Sequence, residues 1–319
     1  MPESTPFDQR TIEVDEQHAL YVEQVGNADG IPAVFLHGGP GSGCQPAHRG
    51  LFDPARFRAV LFDQRGAGRS TPRRCLQHNT TQHLIADLEC IRETLGIERW
   101  MVVGGSWGAL LAVTYAEAHP SRVTGLVLRA VFLGTAREIE WAFVRGPQTF
   151  CPELWRAFVG LLPASEREHP LRAYGTRLMD PDPKIHGPAA AVWHDYERAL
   201  SVLQPGSLSL PGSLTPETFA GAVPSTPFFE WHYIANDFFL TPAQLLADAG
   251  RLAGIPGIIV QGRYDLLCPP RTAHALAERW PDCELRIVEG AGHSLSEQAI
   301  GQQVVAAIER LGSRLAGSG

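Results

Sequence analysis

The first residues, Met1-Pro2-Glu3-Ser4-Thr5, carry no basic start and no apolar run, so a signal peptide is not expected. No apolar stretch approaches the roughly 18 residues that a membrane span requires, so no membrane partner is expected. Positive charge is not in excess either. The net charge is −7 and short basic groups such as Arg73-Arg74 are scattered, which argues against a nucleic-acid partner. The six cysteines (Cys44, Cys75, Cys90, Cys151, Cys268 and Cys283) show neither Cys-x-x-Cys spacing nor the density of a small disulfide-stapled domain. Reduced thiols in a cytoplasmic protein are the reading, with no zinc site. Internal repeats and low-complexity tracts are also missing.

What is present describes an ordinary globular protein: 44% hydrophobic and 19% charged residues in a chain of 319. That length suits one large α/β domain, or one such domain carrying an insertion. Between Thr11 and Val25 the pattern suits two strands around a turn. Ala33-Val34-Phe35-Leu36 and Ala59-Val60-Leu61-Phe62 are continuous apolar runs, as expected of strands buried on both faces of a parallel sheet. Further strands are predicted at 100–103, 123–128, 258–260 and 285–288, with helices at 83–95, after Ser106, and at the C-terminal end. In that last helix Ile300, Val304, Val305, Ile308 and Leu311 form one stripe. Alternating strands and helices imply a doubly wound, mostly parallel sheet. From residue 133 to 240 the alternation stops, and a Trp-, Pro- and Gly-rich segment with helical fragments replaces it. The predicted organisation is a sheet domain of 1–132 and 241–319, with a helical cap of 133–240 inserted in it.

The most informative stretch is Val102-Val103-Gly104-Gly105-Ser106-Trp107-Gly108. Gly-x-Ser-x-Gly between an apolar strand and a helix is the nucleophile elbow, in which the serine Oγ stands clear of the sheet on a strained turn. The amide of Trp107 would meet a developing oxyanion at the helix N-terminus. A second amide is expected from His37-Gly38-Gly39-Pro40-Gly41-Ser42-Gly43, with Gly39 the chosen donor and His37 a brace for the loop. The loop Asp63–Ser70 reads as a tight turn beneath the site. An acid and then a histidine should follow the serine, each on a loop after a strand. Asp265 in Gly262-Arg-Tyr-Asp265 and His293 in Ala291-Gly-His-Ser294 occupy those places, with His293 as base and Asp265 as its orienting acid. Glu289 is the rival acid. Glu297 reads as a capping-box residue of the final helix, and Cys268 as a structural thiol.

Together these motifs resemble the proline iminopeptidases, serine exopeptidases of the α/β-hydrolase fold. The Gly-Gly-Ser-Trp-Gly form of the elbow is far more specific than the general one. The resemblance implies that Glu197, in Val192-Trp193-His194-Asp195-Tyr196-Glu197, and Glu230, in Phe229-Glu230-Trp231-His232-Tyr233, surround the free N-terminus of a short peptide substrate. It implies a similar substrate-binding role for Arg129, at the end of the strand before the cap, and for Phe132 at the proline pocket. Tyr196, Ala130 and Ala142 depart from the family pattern, and Ala142 removes an aromatic from the ring pocket. Release of an N-terminal residue, preferably proline, through an acyl-enzyme is therefore expected, without metal or organic cofactor. An esterase or amidase of different acyl specificity is the alternative, and a non-catalytic binding protein on a hydrolase scaffold a remote one.

Overall fold

The computed structural model describes residues 5–204, 210 and 222–316. Its strands are β1 (Asp8–Glu13), β2 (Ala19–Gly26), β3 (Ile31–Leu36), β4 (Phe57–Phe62), β5 (Trp100–Ser106), β6 (Val123–Val131), β7 (Gly257–Gly262) and β8 (Cys283–Val288). They form one sheet in the order β1-β2-β4-β3-β5-β6-β7-β8. The β1–β2 and β2–β4 pairs are antiparallel, and every neighbouring pair from β4 to β8 is parallel. From β3 the chain first adds β4 on one side and then crosses to add β5 on the other. The carboxyl ends of β3 and β5 therefore flank the topological switch point, where open α/β sheets place their ligands.

The apolar runs explain the layering. Successive side chains alternate between faces, so Val34, Leu36, Val102 and Leu128 pack on one side while Ala33, Phe35, Val103 and Val127 pack on the other. Helices Thr81–Thr94 and Trp107–Ala118 cover the first face. The final helix, Gln298–Ala316, covers the second with the predicted stripe of Ile300, Val304, Ile308 and Leu311. Each such buried side chain contributes about 1.5–3 kcal/mol. Strands β5 and β6 run three residues further than the apolar runs suggest, because Gly104-Gly105 and Arg129 still pair across the ladder without an apolar side chain.

Among the described residues of 133–240 there is no strand. Residues 205–209 and 211–221 of that predicted span lie outside the described residues. Helices Pro152–Gly160, Pro170–Leu178, Pro183–Leu200 and Thr226–Ile234 enclose an aromatic cluster of their own. Phe158 stacks between Tyr196 (centroids 4.0 Å apart) and Tyr174 (4.3 Å). Tyr196 is thus a core residue of these helices, and its hydroxyl donates to the Phe143 carbonyl (3.0 Å). Tyr233 fastens the layer to the sheet: its ring packs on Trp107 (4.3 Å) and its hydroxyl donates to Asn79 Oδ1 (2.8 Å).

Candidate active site

Ser106 closes β5 with φ 57° and ψ −123°, a backbone conformation that side chains rarely adopt and that is kept where the surroundings dictate it. The turn is tight enough to require its glycines. A Cβ on Gly104 would lie 2.2 Å from the Gly108 carbonyl oxygen, and one on Gly108 2.2 Å from that of Leu36. Trp107 is anchored beneath, its indole N–H donating to Gln64 Oε1 (2.8 Å), while Gln64 Nε2 donates to the His37 carbonyl (2.9 Å). Gln64 also donates its amide to His37 Nε2 (3.0 Å). Burial depresses the His37 pKa, so the ring braces the loop as a neutral acceptor. The three loops after β3, β4 and β5 thus hold one another.

Asp265 and His293 meet after β7 and β8. His293 Nδ1 donates to the Asp265 carboxylate (3.0 Å to either oxygen), leaving Nε2 as the basic nitrogen. Asp265 Oδ1 also accepts the amides of Leu267 (3.0 Å) and Cys268 (2.8 Å), and Oδ2 accepts from Gln261 Nε2 (3.3 Å). These bonds fix the orientation of the carboxylate. Gln261 was not singled out in the sequence, although a polar side chain ending the buried run Gly257–Gly262 was the available signal. The Cys268 thiol and Ser106 line the same pocket. Burial, reinforced by the Asp265 charge, pushes that thiol well above its ordinary pKa, so it stays protonated. Asp265, Cys268 and His293 offer donor atoms within 4.8 Å of one another. A protonated thiol and an imidazole already tied to the carboxylate make a weak metal-ligand set.

Ser106, Gly39, Phe132, Glu197, Glu230 and Cys268 line one pocket with about 460 Å³ of empty space. Ala142 lines it too, as do Ile234 and Phe238, so its walls are mostly apolar. Glu230 is 4% exposed; Trp193 donates to its Oε2, and Oε1 has no partner. Burial, and then the charge of Glu197 beside it, pushes the Glu230 pKa far above the usual carboxylate range. Trp193 precedes Glu197 by one helical turn, the spacing that could have identified it.

Three residues sit differently from expectation. Arg129 is outside this pocket: it lies against Gly105, and its guanidinium donates to the His293 carbonyl. It lines a separate groove with Gly38, Gly105 and Val127, not the pocket that holds the glutamates. Glu297 does not close a capping box with Ser294. It accepts the amides of Gly292 (2.8 Å) and Leu203 (3.1 Å), joining the histidine loop to the end of a cap helix. Cys268 is buried as expected of a structural thiol, yet its sulfur lies within the candidate site. Glu289 pairs with Arg263 (2.7 Å) at the surface, away from the imidazole.

The arrangement defines a class, and comparison with known proteins agrees with it: the family described as alpha/beta hydrolase fold matches residues 32–299. The chain is a serine hydrolase of that fold. A proline iminopeptidase of Xylella fastidiosa is 46% identical over 93% of this chain and 94% of its own length. One of Arabidopsis thaliana is 43% identical over 96% of this chain and 80% of its own. The chain belongs to the proline iminopeptidase family. The crystal structure of a Mycobacterium smegmatis proline iminopeptidase, at 17% identity, shares the fold with a TM-score of 0.62 over 98% of this chain and all of that one.

Proposed function

We propose that this enzyme releases an N-terminal residue, preferably proline, from short peptides, with Ser106, His293 and Asp265 as its catalytic triad. The observation that carries this is the carboxylate pair of Glu197 and Glu230 in the same pocket as Ser106. A buried carboxyl with an unpartnered oxygen suits an ammonium and nothing apolar. The substrate's N-terminal amine lies between the two glutamates and its side chain against Phe132, Ala142 and Ile234. The first carbonyl then rests at Ser106, and closure of the pocket at the glutamates would bar a longer N-terminal extension.

Ser106 Oγ gives its proton to His293 Nε2 and attacks that carbonyl. The amides of Gly39 and Trp107 receive the oxyanion, each donor worth about 3–4 kcal/mol in the transition state. His293 then protonates the departing amine, and afterwards draws a proton from the water that hydrolyses the acyl-enzyme. Asp265 holds the imidazole in the required tautomer. Arg129 acts through the backbone of His293 and is a positioning residue in this scheme. Ala142 in the ring pocket supports acceptance of N-terminal residues other than proline.

The division into a catalytic domain of 1–132 and 241–319 and a cap of 133–240 belongs to the same reading. No helix among the described residues is long and apolar enough to cross a membrane. Six unpaired cysteines support a reducing, cytoplasmic setting. Aminoacyl arylamides of Pro, Ala, Gly and Leu, with N-acetyl-prolyl arylamide as control, test the function. Turnover of the free-amine substrates with Pro fastest is expected; equal turnover of the acetylated control overturns the exopeptidase reading.

A further inference from the structure

The helix that begins after Ser106 ends at a second groove, remote from the candidate active site. Helix Trp107–Ala118 carries Glu117 in its last turn, 6% exposed, with Oε1 buried and unpartnered. Glu117 lines the groove with Asp248 and Arg251, and Gln82, Thr114 and Gln244 complete its polar wall. This is an unusual place for an acid. The negative end of a helix dipole disfavours a carboxylate and favours a cation. Burial and the nearby Asp248 charge raise the Glu117 pKa to about 8. The two acids and the exposed, unpaired Arg251 are the charged groups facing the groove among the described residues. No ion pair within 4.0 Å joins Arg251 to either acid among the described residues, and its charge only partly offsets the rise in the Glu117 pKa, so above about pH 8 the groove presents charges of both signs.

We propose that this groove binds a free amino acid as its zwitterion, the ammonium at Glu117 and Asp248 and the carboxylate at Arg251. Gln244 Oε1 is engaged by the Thr241 amide (3.1 Å) and Gln82 Nε2 by the Phe239 carbonyl, which leaves Gln244 Nε2 and Gln82 Oε1 as complementary donor and acceptor. The apolar floor of Ile85 and Leu240 suits a small aliphatic body. A divalent cation fits less well, because Arg251 stands across the groove. Glu117 lies about 16 Å along the helix from Ser106, at about 1.5 Å per residue. The groove takes the class of molecule that the reaction releases, so part of its interest rests on the proposed function; the binding itself does not.

The test uses enzyme whose Ser106 has been blocked with a fluorophosphonate, so that the catalytic pocket does not contribute. Thermal shift and calorimetry at pH 9, above the Glu117 pKa of about 8, compare L-proline, pyrrolidine (ammonium only) and N-acetyl-proline (carboxylate only). L-proline is expected to bind with a Kd on the order of 1 mM. Glu117→Gln and Arg251→Gln should each weaken it at least tenfold, pyrrolidine should bind more weakly than proline, and N-acetyl-proline should not bind. Arg251 is exposed, so its variant folds even if Glu117→Gln does not. Absence of proline binding to the blocked enzyme, or full binding to Arg251→Gln, overturns the proposal. Loss of peptidase activity in the unblocked enzyme would instead speak to the catalytic assignment.

Discussion

At the scale of single residues, Ser106→Ala or His293→Ala should lower kcat by roughly 10⁴ or more, because triad members act as a unit. Steady-state turnover of prolyl arylamide measures this, and a variant keeping a tenth of the activity contradicts the assignment. Asp265→Asn should be similarly severe through the wrong imidazole tautomer. Glu289→Gln, which loses only a surface pair with Arg263, should be near wild type. The Glu230 carboxyl has a raised pKa, so the empty pocket holds a proton that an incoming ammonium must displace. KM for free-amine substrates should therefore rise as pH falls, and Glu230→Gln should abolish that dependence. A pH profile unchanged by the substitution would contradict it. The places of Ser106, Asp265 and His293 were legible because each follows an apolar strand at a fixed place in the chain. Cys268 and Gln261 were not, since their roles come from where the β7 loop folds back. Arg129 was misplaced for a related reason: motif order shows that it ends a strand, but not which neighbour its guanidinium meets.

At the scale of elements, the elbow and the pocket wall make separate predictions. Gly104→Ala drives a methyl group to 2.2 Å from the Gly108 carbonyl. It should cost about 1–3 kcal/mol and displace Ser106, seen as a lower Tm together with a fall in kcat. Wild-type activity in that variant would show that the turn is looser than described. Ala142 faces the pocket from a π-helical turn, Trp141–Arg145, a distortion often found at functional sites. Ala142→Phe should fill the ring pocket and raise the kcat/KM ratio of prolyl to alanyl arylamide severalfold; an unchanged ratio would remove Ala142 from the specificity wall. The sheet was readable because continuous apolar runs leave few alternatives to buried parallel strands. The cap was readable only as helical fragments, because its short helices carry Pro and Gly and bury aromatics whose partners lie far along the chain. Tyr196 illustrates this: its departure from the family pattern suggests a pocket change, yet its ring stacks on Phe158 in the cap interior.

At the scale of the whole molecule, stability should depend on pH through Glu117. Its pKa is raised from an ordinary value near 4.5 to about 8. The stability contributed by the neutral carboxyl is complete below the lower value and is lost as pH rises through the upper one. Glu117→Gln should therefore raise Tm relative to wild type by an amount that grows from pH 5 to pH 8. The gap should correspond to on the order of 2–3 kcal/mol near neutrality, and a pH-independent gap would refute the linkage. The central claim spans the whole molecule: a sheet-borne nucleophile and cap-borne carboxylates select a peptide's free N-terminus together. The most direct measurement is kcat/KM of Glu230→Gln, with Glu197→Gln in parallel, on prolyl arylamide and on a small ester without an ammonium. Loss of one charge-assisted hydrogen bond, about 1.5–3 kcal/mol, predicts a ten- to hundredfold fall on the arylamide and little change on the ester. Equal effects on both substrates would contradict the account.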